Sequence, residues 1–266
     1  MSAILEVSHV KKSFGGAIGV PVLADIDFSV SKGEFISVVG PSGCGKTTLL
    51  LTLSGLMDVN EGSVKFDGKL VGGGTPAGLA IVFQDYSRSL LPWRTNIQNV
   101  LFGMRRINDL SKTAKYDLAR ELIDAIGLSG FEDYYPWQLS GGMQQRIAIA
   151  RGLASQSKLL LLDEPLAAVD AQTRADMQDF ILQLAEKYQQ SCLLVTHDVD
   201  EAVYMADRVI ILSSRPTRVV EEITVPLSKP RDQIESREDD AFLRIRHQTL
   251  HHIRTMRKAS RQGALA

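Results

Sequence analysis

The stretch Gly40-Pro-Ser-Gly-Cys-Gly-Lys46-Thr47 lies between an apolar run, Phe35–Val39, and a segment with helical character, Thr47–Leu56. A glycine, four further residues and then Gly-Lys-Thr form the pattern of a phosphate-binding loop. Its glycines let backbone N–H groups converge on phosphate oxygens, and the N-terminus of the following helix adds favourable partial charge. The sequence therefore predicts a strand, a loop and a helix that together hold the phosphates of a nucleotide.

Individual roles follow from the chemistry of this loop. We expect the Lys46 ammonium to reach the β- and γ-phosphates, the Thr47 hydroxyl to bind Mg²⁺, and Thr48 to add a hydroxyl contact near the α-phosphate. The residues predicted to bind the nucleotide are Gly40, Pro41, Ser42, Gly43, Cys44, Gly45, Lys46, Thr47 and Thr48. The alternative is a glycine-rich turn between a strand and a helix that binds no ligand.

Two acids follow a second apolar run, in Leu159-Leu-Leu-Leu-Asp163-Glu164-Pro165. A doubly wound sheet binds its ligands at the carboxyl ends of its strands. There Asp163 can hold Mg²⁺ directly or through water, and Glu164 can orient or deprotonate the water that attacks the γ-phosphate. A solvated acidic turn is the alternative, and the phosphate-binding loop in the same chain favours the catalytic interpretation.

Short apolar runs separated by helical stretches recur in the second half of the chain, which is typical of a parallel α/β sheet. They are Leu159–Leu162, Cys192–Val195 and Val209–Leu212. The N-terminal part instead carries two hairpin signals, one at the Ser-Lys-Gly turn between Ile26–Val30 and Glu34–Val39, the other at Asp67-Gly68. From about Ser87 to Leu128 the apolar spacing is helical.

The composition excludes several classes of protein. The 266 residues have a net charge of −1, which gives no electrostatic bias toward nucleic acid. The N-terminus does not resemble a signal peptide, and no window approaches the roughly 18 apolar residues that a membrane span needs. Cys44 and Cys192 are far apart in sequence and suggest neither a disulfide framework nor a metal site. We expect a cytosolic protein that reaches a membrane through a partner.

A third motif, Leu139-Ser140-Gly141-Gly142-Met143-Gln144-Gln145-Arg146, opens another helix. Ser140 is a natural N-cap, and the two glycines leave backbone N–H groups bare, which suits a second phosphate contact. A plain Ser-Gly-Gly cap explains the local structure equally well.

Taken together, these motifs and their order resemble the ATP-binding subunits of ABC transporters over about residues 4–225. Within that family, Val82-Phe83-Gln84-Asp85-Tyr86 and Leu90-Leu91-Pro92-Trp93-Arg94 are similar to the ATPases of nitrate, sulfonate and taurine importers. The resemblance implies an α/β fold: a RecA-like P-loop NTPase core with a parallel sheet, an N-terminal antiparallel β subdomain and an inserted α-helical subdomain at about 87–157. The ATPase domain would span 1–230.

The resemblance also implies roles for single residues. Gln84 corresponds to the Q-loop glutamine that senses Mg²⁺ and the attacking water, and His197 to the switch histidine that contacts the γ-phosphate. Asp170 corresponds to the D-loop aspartate at the dimer seam, and Phe14 to the aromatic residue that stacks on adenine. The implied catalytic residues are Glu164, His197 and Gln84, the implied metal ligands are Thr47, Gln84 and Asp163, and the signature residues are Ser140, Gly141, Gly142 and Gln144.

Some positions depart from the family pattern. Phe14 replaces a more frequent tyrosine, and Gly15–Gly19 lengthens the loop that follows it. Ala167-Ala-Val-Asp170 replaces the sequence S-A-L-D, and Trp137 replaces a common histidine. None of these departures removes a catalytic group.

The resemblance further implies a head-to-tail dimer of two copies that encloses two ATP molecules with Mg²⁺. The dimer would drive integral membrane permease subunits, and indirectly serve a solute-binding protein, from the cytoplasmic face of the inner membrane. The solute would be an oxyanion such as nitrate, a sulfonate or taurine. Leu90–Trp93 either dock to the permease or pack within the helical subdomain.

Other interpretations remain open at this point. An ABC ATPase that acts on nucleic acid or ribosomes is one alternative, a small-molecule kinase is another, and import is less firmly indicated than ATP hydrolysis. Asp198 and Glu201 have the spacing of a helix capping box. Residues 231–266 form an amphipathic basic tail that either lies on the main body or contacts the membrane partner or anionic headgroups. Its apolar residues are Phe242, Leu243, Ile245, Leu250, Ile253 and Met256.

Overall fold

The computed structural model describes residues 2–15, 19–85 and 89–263, and the chain divides into two compact units. Unit 1 comprises Met1–Ala77 and Ser191–Ala266, and unit 2 comprises Gly78–Gln190. The chain therefore leaves unit 1 after the first 77 residues and returns to it at Ser191.

Unit 1 contains, in its described residues, eight strands in the order β5-β4-β1-β2-β10-β9-β3-β8. Four N-terminal strands pair antiparallel: β1 (Ala3–Phe14), β2 (Val20–Ser31), β4 (Glu61–Phe66) and β5 (Lys69–Leu70). Strand β3 (Phe35–Val39) pairs in parallel with β8 (Ser191–Val195) and β9 (Arg208–Leu212). Strand β10 (Thr217–Thr224) joins the two parts, antiparallel to β9 and parallel to β2.

The two predicted hairpins have different outcomes. The turn at Asp67-Gly68 is confirmed, because Phe66 pairs with Lys69 and both turn residues have positive φ, 48° and 75°. The hairpin between β2 and β3 is wrong, because β2 pairs with β1 and β10, whereas β3 pairs with β8 and β9. Every residue of β3 is buried, so this apolar strand is suited to the interior of a parallel sheet.

Four α-helices occur among the described residues of unit 1. They are α1 (Lys46–Leu53), α6 (Val199–Met205), α7 (Glu235–Glu238) and α8 (Asp240–Gly263). Asp198 caps α6 by accepting from the N–H groups of Asp200 and Glu201 at 2.9 and 3.1 Å.

The terminal helix α8 packs on unit 1. Phe242, Ile245 and Ile253 are buried, whereas Leu243 is 46% exposed and lies off the buried face. An ion pair ties Arg246 to Asp200, and His252 Nε2 lies 2.6 Å from a carboxylate oxygen of Glu221. The apolar stripe of this helix is therefore directed at its own unit.

Unit 2 combines two parallel strands with four α-helices in the residues that are described. The strands are β6 (Leu79–Val82) and β7 (Leu159–Asp163), and the helices are α2 (Asn96–Gly103), α3 (Lys112–Ala125), α4 (Gly141–Ala154) and α5 (Ala171–Lys187). Short 3₁₀ helices span Met104–Arg106 and Pro136–Gln138. Helices α2 and α4 approach closely, because a Cβ on Gly103 would lie 2.2 Å from the carbonyl oxygen of Arg151.

Across the described ranges, no helix is both long enough and apolar enough to cross a bilayer.

Candidate functional site

The phosphate-binding loop connects β3 to α1, as the sequence predicts, and its glycines are required by its geometry. Gly43 and Gly45 have φ of 74° and 118°, in the region that side chains disfavour. A Cβ on Gly45 would also lie 2.7 Å from Val22 Cγ1. Since Gly45 is the N-cap of α1, the glycine lets the helix begin directly after the loop.

The Lys46 side chain lies along this loop. Its ammonium donates to the carbonyl oxygens of Gly40 and Pro41 at 3.1 and 3.3 Å, and the residue is 8% exposed. Ser42, Gly43 and Thr47 are exposed at the outer side of the loop. No acidic residue lies in the first turn of α1, so the helix itself adds no negative charge at the positive end of its dipole. The arrangement is suited to an anionic ligand.

The cysteine of this loop, Cys44, has a structural role. Cys44 is buried, and its burial raises the pKa of its thiol, so the thiol stays protonated at neutral pH. Its carbonyl accepts a hydrogen bond from the Thr217 hydroxyl. This contact fixes the loop to β10.

Gln84 lies beside Glu164, the second of the two acids, in unit 2. Strands β6 and β7 are parallel and in register, with Val82 opposite Leu162, so the residues that follow them leave the same end of the strands. Gln84 Nε2 donates to Glu164 Oε2 at 3.3 Å. Asp163, the last residue of β7, is 3% exposed, whereas Gln84 is exposed. A partly exposed carboxylate beside an amide can orient a water molecule.

The backbone of Glu164 is in the left-handed region, with φ of 46°. For a residue other than glycine this conformation costs about 1–3 kcal/mol, and such residues cluster at functional sites. A buried residue that the sequence analysis did not identify, Gln145 on α4, contacts this segment: its Nε2 donates to the carbonyl oxygen of Glu164 at 3.4 Å.

The signature turn begins α4. Ser140 is its N-cap and accepts from the N–H of Met143 at 3.4 Å, while the Ser140 residue itself is exposed. A Cβ on Gly142 would lie 3.2 Å from the carbonyl oxygen of Ala168, which leaves little room for a side chain. Gln144 donates to the carbonyl oxygen of Leu139 at 3.1 Å and so braces the turn. With Gly141 and Gly142 partly exposed, the first N–H groups of the helix are open to a ligand.

Three further predicted residues are His197 and Phe14 in unit 1 and Asp170 in unit 2. In unit 1, His197 is exposed and follows β8, which is parallel to β3, so it leaves the sheet at the edge where the phosphate-binding loop begins. Phe14 ends β1, is 44% exposed, and has the Lys12 ammonium 5.6 Å from its ring. In unit 2, Asp170 caps α5, and the N–H of Thr173 lowers the pKa of its carboxyl group. Residues 16–18 and Tyr86 lie outside the described residues.

The buried strand β3, the glycine-rich loop and the Gly-Lys-Thr start of α1 form the strand, loop and helix pattern of a P-loop nucleoside triphosphatase. The family model described as "ABC transporter" matches residues 23–167, more than half of the chain. The chain therefore belongs to the ABC transporter family, in which it is an ATP-binding subunit and an ATPase.

Individual relatives support the same family. The chain is 45% identical to the aliphatic sulfonates import ATP-binding protein SsuB 1 of Pseudomonas savastanoi pv. phaseolicola, over 93% of this chain and 95% of that protein. It is 40% identical to the taurine import ATP-binding protein TauB of Escherichia coli, over 96% of this chain and 99% of that protein. Among solved structures, the dimeric post-hydrolysis state of the ATP-binding cassette MJ0796 with ADP and Pi matches with a TM-score of 0.74. That match has 28% identity and covers 83% of this chain and 98% of that chain.

Proposed function

We propose that this chain powers the import of a small oxyanion, working as a dimer on the cytoplasmic face of the inner membrane together with integral membrane permease subunits. The observation that carries the catalytic part is the hydrogen bond between Gln84 and Glu164 at the ends of two parallel strands. The names of SsuB 1 and TauB support import and a sulfonate-type solute. An ATPase that acts on nucleic acid or ribosomes is not favoured, because relatives over nearly the whole chain are named for import.

The phosphates of ATP are bound by the loop from Gly40 to Thr47 and by Thr48. Lys46 is already held along the loop by two carbonyl oxygens, so its ammonium can move to the β- and γ-phosphates with little rearrangement. The exposed Phe14 ring offers a flat apolar surface to the adenine base.

The residues fit Mg²⁺. The Thr47 hydroxyl, the Gln84 amide oxygen and the Asp163 carboxylate are hard oxygen donors of the kind this ion prefers. No group of three or more His, Cys, Asp or Glu side chains that could hold a metal occurs among the described residues. The three oxygen donors of Thr47, Gln84 and Asp163 suit an ion that is bound through a few side chains and the phosphates of the nucleotide. When bound, Mg²⁺ neutralises charge on the β- and γ-phosphates.

Hydrolysis depends on the orientation of one water molecule. Glu164 accepts a proton from that water or holds it in line with the γ-phosphate, and Gln84 fixes the Glu164 carboxylate through its amide. His197 donates to the γ-phosphate. Because the protein makes no covalent bond to the phosphoryl group, the chemistry is carried by position and charge.

The signature turn acts on the nucleotide of a second copy. Its helix begins with Ser140, Gly141 and Gly142, has no acid in its first turn, and leaves Ser140 exposed. Two copies arranged head to tail bring this turn of one copy to the ATP of the other, with Gln144 bracing it and Asp170 at the seam. ATP binding closes the dimer and hydrolysis reopens it.

The permease docks on the segment around Trp93. Trp93 is 70% exposed, whereas Leu90 is 2% exposed and anchors the segment. The Asn99 side-chain amide donates to the carbonyl oxygens of Leu91 and Arg94 at 3.1 and 3.2 Å and accepts from the Leu91 N–H at 2.9 Å. The segment is therefore held in shape while it presents an indole ring to a partner. A solute-binding protein delivers the solute to the permease.

Ser140→Arg is expected to abolish ATP hydrolysis and to leave the binding of ATP to an isolated monomer unchanged. The arginine blocks the turn that would meet the nucleotide of the second copy, but it leaves the phosphate-binding loop intact. ATP affinity is measured by equilibrium titration of the monomer, and turnover by phosphate release. Ser129→Arg, at an exposed position of the same unit, is the matched control and retains turnover. Normal hydrolysis by Ser140→Arg would refute the proposal that a second copy contributes to the ATP site.

A further inference from the structure

A single buried amide joins the signature helix to the segment that carries Glu164. Gln145 lies on α4 and is 2% exposed. Its Nε2 donates to the carbonyl oxygen of Glu164 at 3.4 Å, and its Oε1 accepts from the N–H of Ala168 at 3.1 Å. The amide therefore holds both ends of the segment from Glu164 to Ala168, using its donor at one end and its acceptor at the other.

The backbone of Glu164 needs restraint. Its φ of 46° is unfavourable for a residue with a Cβ, and such a conformation persists only where the surroundings impose it. The carbonyl oxygen of Glu164 also accepts from the N–H of Ala167 at 3.3 Å, which is a bond within the same turn. Gln145 adds a restraint from a neighbouring helix.

The other end of the segment is also packed against α4. A Cβ on Gly142 would come within 3.2 Å of the carbonyl oxygen of Ala168, the residue whose N–H donates to Gln145. The side chain of Glu164 then meets Gln84 Nε2 at 3.3 Å. The direction of the carboxylate is thus set by a backbone that is fixed at both ends by one helix.

We propose that Gln145 is a positioning residue for ATP hydrolysis. It holds the backbone of Glu164 in its left-handed conformation, and so keeps the carboxylate beside Gln84, where it orients the attacking water. The inference rests on the proposed function, since it gives Glu164 the catalytic role. Gln145 acts through Glu164 and has no contact with the nucleotide in this account.

Gln145→Met tests the role, because methionine keeps the length of the side chain and removes both hydrogen bonds. In the full-length protein, kcat for ATP is expected to fall about 10- to 100-fold, as for other residues that orient a reacting group. The KM for ATP and the equilibrium affinity for ATP stay near their wild-type values. Gln145→Asn retains an amide that is too short to make both bonds, and its kcat is expected to be intermediate.

The matched control is Gln190→Met. Gln190 is also 2% exposed and lies in the same unit, and its Nε2 donates to the carbonyl and hydroxyl oxygens of Ser157, each at 2.8 Å. This change removes an equivalent buried amide away from Glu164. It is expected to lower the melting temperature while kcat is retained.

A double-mutant cycle separates positioning from general damage. In a Glu164→Gln background, measured in single-turnover experiments, Gln145→Met is expected to cause no further loss of rate. An equal fractional loss in both backgrounds, or wild-type kcat in a folded Gln145→Met protein, would overturn the inference. If both Gln145 variants unfold while Gln190→Met folds, Gln145 is required for the fold and the positioning role is rejected.

Different results would refute the proposed function of the site and the role of Gln145. A wild-type protein without ATPase activity, or a Glu164→Gln variant with full activity, would refute the proposed function of the site. An active wild type and an inactive Glu164→Gln variant, together with a fully active Gln145→Met variant, would refute the role of Gln145 alone.

Discussion

Glu164→Gln is expected to reduce ATP turnover by roughly 10²- to 10⁴-fold, the range for loss of a general base. The glutamine keeps the size of the side chain but cannot accept the proton of the attacking water. ATP binding is expected to be retained, because the phosphate-binding loop is unchanged. In the proposed mechanism, uncleaved ATP bridges the two copies, so the variant is expected to accumulate as closed dimers. Phosphate release measures the turnover, and light scattering with ATP measures the dimer.

Glu186→Gln is the control for this change, since Glu186 is an exposed residue of α5 in the same unit. It removes the same charge and is expected to keep wild-type turnover. Full-rate hydrolysis by Glu164→Gln would exclude Glu164 from the mechanism.

Lys46→Ala is expected to reduce ATP turnover to an extent comparable to Glu164→Gln, but through the loss of a positive charge at the phosphates. It removes the ammonium that would neutralise the β- and γ-phosphates, so turnover falls by roughly 10²- to 10³-fold, as when one donor of a charge-stabilising site is lost. Unlike Glu164→Gln, it also weakens ATP binding, so no closed dimer forms. The fold is expected to be retained, because the partners of the Lys46 ammonium include two loop carbonyls near the exposed Ser42 and Gly43.

Equilibrium titration with ATP and a thermal melt distinguish these effects. Lys69→Ala, which removes an exposed lysine from β5, is the matched control. Wild-type affinity for ATP in Lys46→Ala would contradict the proposed binding role of the loop.

The parts of the fold that depend on local backbone chemistry could be predicted from the sequence. Gly45 adopts a positive φ where α1 begins. The glycine before Lys46-Thr47 in the sequence indicates this backbone conformation. Asp67-Gly68 likewise specifies its own turn. Asp163 and Glu164 were predicted at the end of a buried strand because β7 is uniformly apolar up to Asp163.

Features that depend on distant parts of the chain were not predicted correctly or not predicted at all. The Ser-Lys-Gly turn after β2 looks like a hairpin locally, but β3 finds its partners in β8 and β9, more than 150 residues later in the chain. Gln145 carries no signal in the sequence, because its partners at Glu164 and Ala168 are defined only when α4 packs beside the end of β7.

The most direct test of this account is the structure of the Glu164→Gln protein with ATP and Mg²⁺. We expect two copies, with the γ-phosphate that is bound at Lys46 of one copy within hydrogen-bonding distance of Ser140 and Gly142 in the other. A nucleotide-loaded chain whose Ser140–Gly142 turn faces only solvent, in a protein that hydrolyses ATP at its full rate as a monomer, would contradict it.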